Sequence, residues 1–332
     1  QWSSSAASDV YKRQVCASST IMSWSFFPTP YHPFDLKLSG LNALWIKRDD
    51  LTGLAGGGNK TRKLVGFLSH IESEGYDALV TEGAPQSNHC RQTAAMAAAR
   101  RIPATLVLGG TGSQEPVGNV LLDEILGARL VFCEAQLRTA TVDRVMSEHR
   151  EQGLKPFHIP VGGSSPIGVH AYAEAITEWA IQQRELGWWP DVIVHASSSG
   201  GTQAGLALGL ARLGNAPTHV LGISVDHSAG ELRTIVEGLL DQSVGDVALR
   251  EQAKALCEYN SSYLGLGYAR PSQHEARAIR YVAQNTGIVA DPVYTGRGLV
   301  GLLDLAERGQ FDGKRVVFWH TGGLPSIHAF GS

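Results

Sequence analysis

No CxxC pair occurs in this 332-residue chain, and its four cysteines, Cys16, Cys90, Cys133 and Cys257, are scattered. That spacing speaks against a disulfide framework or a cysteine zinc site and suits a reducing cytoplasm. No apolar run reaches the roughly 18 residues that span a bilayer, so no membrane partner is expected. Charged residues are only 18% and the net charge is −3. A nucleic-acid surface driven by bulk charge is therefore excluded. Repeats of fixed period and low-complexity domain linkers are also lacking. What is present is a 43% hydrophobic chain, enough for two domains or one large α/β unit with an ample core.

The first residues stand apart. "QWSSSAASDVYKRQ" is polar and lacks the apolar core of a signal peptide. Its end resembles the translated read-through of a transposon end used in DNA library preparation. Residues 1–21 are expected to be an artefactual or disordered tail, with Met22 as the natural start.

From Leu44 onward, short apolar runs alternate with helical patterns. "DALVTEG", "ATLVLGG", "ARLVFC" and "FHIPVGG" read as strands. Between them, Leu64, Phe67, Leu68 and Ile71 recur at helix spacing, and "SNHCRQTAAMAAARR" is an alanine-rich helix that Ser87 can cap. "NVLLDEILG" and a stretch near 141–152 are further helices. A second series begins near Ile167, with a long helix, "DVIVHAS", "TQAGLALGLARLG", "HVLGISV", two helical segments and the loop "SSYLGLGYARPS". It closes with a helix, "DPVYTG", another helix, the strand "RVVFWH" and "TGGLPS". Such alternation predicts parallel sheets with helices on both faces. "PVGGSSPIG" is the best boundary between the series.

Two glycine-rich stretches bear on chemistry. "SSSGGTQAG", 197–205, joins a strand to a helix, where small residues and free N–H groups receive an anion. It is neither the nucleotide P-loop pattern nor G-x-G-x-x-G, which favours a small phosphate over a nucleotide. Glycine also serves such turns sterically. "AGGGNKTRKL", 55–64, places Lys60 and Lys63 one helical turn apart. A desolvated lysine loses its proton readily and can form a Schiff base, whereas a lysine at a helix start is also an ordinary surface residue. An amine, a phosphate cradle and no metal cluster together point to pyridoxal phosphate. In "GAPQSNHCRQ", Gln86, Ser87, Asn88 and His89 offer donors at a helix start, beside plain capping by Ser87. Tyr294 and Thr295 of "DPVYTG" are taken to sit at a strand or loop end, and Thr321 follows an apolar strand; such ends are where α/β proteins place ligands.

Seven landmarks in order resemble the pyridoxal-phosphate enzymes of the D-cysteine desulfhydrase and 1-aminocyclopropane-1-carboxylate deaminase family. They are "IKRDDLTGLAGGGNKTRKL", "QSNHCRQTAA", "IPVGGS", "SSGGTQAGL", "GY" at 267–268, "DPVYTG" and "HTGGLPS". The resemblance implies a tryptophan-synthase-β-like fold (fold type II), with two doubly wound parallel-sheet domains. Residues 22–62 and 170–332 would form the large cofactor-binding domain and 63–169 a small inserted one. It implies that Lys60 carries the cofactor, and that Lys63 with Ser198, Ser199, Gly200, Gly201 and Thr202 holds the phosphate. Asn88 would face the ring oxygen, and Ser87 with its neighbours Gln86, Asn88 and His89 the substrate carboxylate. Tyr294 and Tyr268 would act as acid/base or positioning groups. Thr295 would sit near the pyridine nitrogen, with Thr321 at the same end. A homodimer is implied as well.

Relatives that open the cyclopropane ring carry glutamate at the position of Thr295 and leucine at that of Thr321. Neutral threonine makes a weaker electron sink, sufficient where the β-carbon carries a good leaving group. The expected reaction is α,β-elimination from a small amino acid such as D-cysteine, giving pyruvate, ammonia and sulfide. 1-Aminocyclopropane-1-carboxylate deaminase is the first alternative. L-Cysteate sulfo-lyase is another, because Ala269 and Arg270 depart from the pattern after Tyr268 and a guanidinium grips sulfonate well. Of another class is a non-catalytic small-ligand binder. Val65 replaces a common glutamate. Trp188 and Trp189 are expected in a core or a dimer contact.

Overall fold

The computed structural model describes residues 25–214 and 217–330. The expected tail at 1–21 and Met22 lie outside the described residues.

The chain runs β1 (Tyr31–Pro33), β2 (Ala43–Arg48), α1 (Lys60–Glu74), β3 (Ala78–Gly83), α2 (Asn88–Arg100), β4 (Ala104–Gly109), α3 (Gly118–Ile125), β5 (Arg129–Cys133), α4 (Arg138–Glu151) and β6 (Pro156–Ile159). It continues α5 (Pro166–Arg184), β7 (Val192–Ser197), α6 (Gly201–Leu213), β8 (His219–Ser224), α7 (Ala229–Ser243), α8 (Val247–Ala255), β9 (Cys257–Asn260), α9 (Gln273–Thr286), α10 (Thr295–Glu307) and β10 (Arg315–His320). Two sheets result, ordered β1-β2-β10-β7-β8-β9 and β5-β4-β3-β6. All strand pairs among the described residues are parallel except β1 with β2. The two-sheet α/β expectation stands, with an antiparallel edge strand added.

The period-two pattern of β10 shows why both faces of the larger sheet are covered. Val317 and Trp319 enter a core with Tyr172, Trp179 and Leu206 from α5 and α6. Val316 and Phe318 enter the opposite core with Ile279, Leu299 and Leu302 from α9 and α10. In the smaller sheet, Leu79 and Ile159 pack on Leu64, Phe67 and Leu68 of α1, and Val80 and Val107 on Val142 and Val145 of α4. Trp189 joins the larger sheet's core, its ring 5.5 Å from that of Trp179, while Trp188 meets Trp45 at 5.8 Å.

A buried ionic cluster pins α1 between the sheets. Arg62 donates to Asp49 at 2.8 Å through both Nε and Nη2, and to Glu178 through Nη1 at 2.9 Å. Lys47 meets the same Glu178, and Tyr172 and Trp319 donate to Asp49. This cluster fixes the register of α1, and so the position of its first residue, Lys60.

Candidate active site

Lys60 begins α1 after a loop whose backbone approaches its neighbours too closely for side chains. A Cβ on Gly57 (φ +74°) would lie 2.0 Å from the Asp50 carbonyl oxygen. Thr52 ties the loop down, its hydroxyl donating to the Gly58 carbonyl and accepting from the Gly58 amide, both at 2.8 Å. The Lys60 side chain lines a cavity of about 330 Å³ between the two sheets. Burial lowers its amine to about 8, against an ordinary lysine value of 10.5. No ion pair to Lys60 exists among the described residues, so nothing opposes the loss of that proton.

One wall is the β7–α6 turn. Ser198, Ser199, Gly200 and Thr202 line the cavity. Gly200 (φ +73°) occupies the N-cap of α6 and provides no side-chain cap, which leaves the helix start open to an anion. Thr202 accepts from Asn59 Nδ2 at 2.9 Å, joining this turn to the lysine loop. Lys63 lies behind the turn rather than on the cavity surface. Its Nζ donates to the Gly162 carbonyl at 3.0 Å and sits 2.8 Å from where a Gly201 Cβ would be. Burial, then Lys60, pushes its amine well down. Ser198 donates to Asp226 Oδ2 at 2.7 Å, so its hydroxyl is committed away from the cradle.

The opposite wall is the start of α2. Ser87 caps it, accepting from the Cys90 amide at 3.2 Å. Asn88 Oδ1 accepts from Arg91 at 2.9 Å and Asn119 at 3.0 Å. Its amide nitrogen is thereby left as the group free to donate into the cavity. Thr81 donates its one hydroxyl proton to the Ile159 carbonyl, so His89 Nε2, 2.8 Å away, must be the donor to Thr81. His89 Nδ1 is then a buried acceptor with no partner among the described residues. Burial pushes this imidazole well down, so it is neutral. Gln86 turns away, bonding Val117 at 3.0 Å and the Asn119 amide at 2.8 Å.

Tyr268 and Tyr294 close one end, hydroxyls 2.6 Å apart. Tyr294 is at a loop end, the last residue before α10, rather than at a strand end, and Thr295 is the first residue of that helix. The Thr295 hydroxyl donates to Asp291 at 2.6 Å and does not line the cavity. Thr321 does, and its hydroxyl has no hydrogen-bond partner among the described residues. Arg270 is exposed and lies outside the lining.

Asn59, Arg138, Asp226 and His227 also line the cavity and were not anticipated. Asn59 stood in the quoted glycine loop. The others follow strands β5 and β8, and the rule that ligands gather at carboxyl ends of parallel strands was the available signal. Among the described residues no group of His, Cys, Asp or Glu could hold a metal ion, and no helix is long and apolar enough to cross a membrane.

A near-neutral amine, an open helix start with hydroxyls, a buried lysine behind it and unpartnered polar atoms such as Ser197 Oγ fit a small phosphorylated aldehyde. Fold and site together define a pyridoxal-phosphate enzyme of the two-sheet α/β class. Residues 25–322 match the family described as "Pyridoxal-phosphate dependent enzyme". A Pyrococcus abyssi protein named "Putative 1-aminocyclopropane-1-carboxylate deaminase" is 36% identical over 94% of this chain and 93% of its own. A Klebsiella pneumoniae "D-cysteine desulfhydrase" is 39% identical over 86% and 88%. A crystal structure described as an ACC deaminase homologue superposes with a TM-score of 0.79 at 34% identity, covering 95% of this chain and 96% of that one. The chain belongs to the pyridoxal-phosphate dependent enzyme family, as a fold type II lyase of the desulfhydrase and deaminase branch.

Proposed function

We propose that this protein is a cytoplasmic, homodimeric lyase that eliminates the β-substituent of D-cysteine or a close analogue, yielding pyruvate, ammonia and sulfide. The observation that carries this reading is the neutral end wall. Thr321 faces the cavity, Thr295 is tied to Asp291, and neither position offers a carboxylate to a pyridine nitrogen. The name of the Klebsiella pneumoniae relative supports it. The Pyrococcus abyssi relative keeps the cyclopropane deaminase as a second reading. The sulfo-lyase reading loses its motive, because Arg270 lies outside the cavity lining. The smaller sheet, within 78–159, supports reading 63–169 as the small domain inserted between 22–62 and 170–332.

When bound, pyridoxal phosphate supplies an aldehyde that captures an amine and a ring that accepts electrons from the α-carbon. The residues have separate tasks. Lys60 holds the cofactor and, once freed, takes the α-proton at Nζ; an amine at about 8 is matched to that transfer near neutrality. The α6 start, Ser199, Gly200, Gly201 and Thr202 hold the phosphate, with Lys63 as buried counter-charge. Asn88 donates to the ring oxygen. Ser87, Asn88 and the backbone N–H groups of the α2 start, that of His89 among them, orient the substrate carboxylate; Gln86 supports them by bracing Asn119. Tyr268 and Tyr294 position the substrate and hold a proton near its β-substituent.

The test is 2-oxo-acid release by the protein loaded with pyridoxal phosphate. D-Cysteine, L-cysteate and 1-aminocyclopropane-1-carboxylate are offered in parallel. Pyruvate with sulfide from D-cysteine is expected. 2-Oxobutyrate as the main product would give the second reading precedence.

A further inference from the structure

The active cavity holds a carboxylate that the reaction scheme above does not use. Asp226 follows β8 and lines the cavity, with its side chain 20% exposed. Oδ2 accepts from Ser198 at 2.7 Å, and His227 Nε2 stands 3.5 Å from Oδ1. Oδ1 is buried and has no hydrogen-bond partner among the described residues. Arg297 is near but spends its donors on Glu275 at 3.0 Å, Val225 at 2.5 Å and Gly267 at 3.2 Å. Asp226 lines the same cavity as Tyr268 and Tyr294, and its charge raises both phenols.

The remaining walls are taken under the lyase reading, on which this inference rests. The α-carbon belongs beside Lys60 and the carboxylate at the α2 start. Arg138, the charged lining group besides Asp226 and Lys60, stands at the far side near that start. It is held by the Ala135 carbonyl at 3.2 Å, lies 3.9 Å from Glu82, and its Cδ is 2.7 Å from where a Gly109 Cβ would be. The substituent on the β-carbon is left facing the tyrosines and Asp226.

We propose that Asp226 sets the charge of the β-substituent, admitting a thiol, hydroxyl or ammonium and rejecting a sulfonate, phosphate or carboxylate. The first group can donate a hydrogen bond to the carboxylate. The second brings another anion into a partly desolvated pocket, where like charges repel far more than in water.

The probes are asparagine and aspartate, equal in shape and different in charge, each as both enantiomers. Their binding to the protein loaded with pyridoxal phosphate is read from the cofactor's visible absorption. Aspartate is expected to bind about tenfold or more weakly than asparagine in the wild type. Asp226→Asn and Asp226→Ser should each shrink that ratio to about threefold or less, and raise turnover of cysteate relative to cysteine by about tenfold. Equal binding of the two probes by the wild type, or a ratio unchanged in both variants, overturns the proposal. If the wild type releases no 2-oxo acid from any β-substituted substrate, the lyase reading fails, while the binding ratio still judges Asp226.

Discussion

The hydroxyls of Tyr268 and Tyr294 lie 2.6 Å apart at one end of the cavity that holds Lys60. Burial raises both phenols, that of Tyr294 furthest, so both stay protonated near neutrality. One hydroxyl proton lies between the oxygens and the other is free to turn to a substrate. Tyr268→Phe and Tyr294→Phe should each lower kcat for 2-oxo-acid release by about 10²–10⁴-fold. The double variant should fall little below the worse single one, because the pair acts as a unit. Steady-state rates on all three variants check this, and wild-type rates in either single variant would make the pair structural.

Lys60 carries a prediction about pH. Its lowered value, about 8, makes the neutral amine half-populated at that pH rather than near 10.5. The neutral form is the nucleophile. Uptake of pyridoxal phosphate by the cofactor-free protein should therefore quicken up to about pH 8 and then level. Lys60→Ala should leave no absorbance of covalently held cofactor at any pH. Stopped-flow absorbance across pH 6–10 reads both; continued acceleration to about pH 10 would mean an amine without the burial shift.

Arg62 should matter to stability rather than to chemistry. Arg62→Met leaves Asp49 a buried anion without its cation and Glu178 with Lys47 alone, a loss of about 3–5 kcal/mol. Burial pushes both carboxyls up, but Arg62 and Lys47 together outweigh it, and the net direction is down. Groups lowered on folding contribute stability above their unfolded values, about 4, and lose it as pH falls through the folded ones. Urea titrations should show the large loss at pH 7 and a flatter acid slope in Arg62→Met than in the wild type.

The larger architecture was legible because β7 and β10 carry the apolar runs 192–194 and 316–319, buried on both faces, with glycine turns after them. β1 and β9 were not: at three and four residues, with exposed or half-buried positions, they lack a period. In the site, the lysine, the α6 turn and the tyrosines were legible from motif order. The direction of a short side chain was not. Thr295 sits where its hydroxyl can close on Asp291 four residues earlier, and that local bond takes it from the cavity. Arg270 is two residues from Tyr268, yet the backbone between them passes through Ala269 at φ +54° and leaves the guanidinium in solvent. Asp226 and Arg138 belong to no glycine-rich or aromatic motif; tertiary contact alone brings them to the cavity.

Gly201 gives the sharpest test of the phosphate cradle. A methyl there would lie 2.8 Å from Lys63 Nζ and 2.6 Å from Ser164 Oγ. Both are side-chain ends able to retreat, and the Ser164 Cα at 3.1 Å needs to give only a few tenths of an ångström, so Gly201→Ala should keep the fold while displacing the Lys63 amine from the turn. Lys63→Met removes the amine and keeps most of the apolar stem. Each variant should weaken pyridoxal phosphate binding by about 10–100-fold, the scale of a lost charge-assisted bond. The two effects should overlap rather than add when combined, since both act on one cation. Equilibrium dialysis against pyridoxal phosphate, and against pyridoxal without its phosphate, separates the causes. A loss confined to the phosphorylated ligand places the cradle at this turn. An equal loss for both would mean that the methyl had disturbed Lys60 instead.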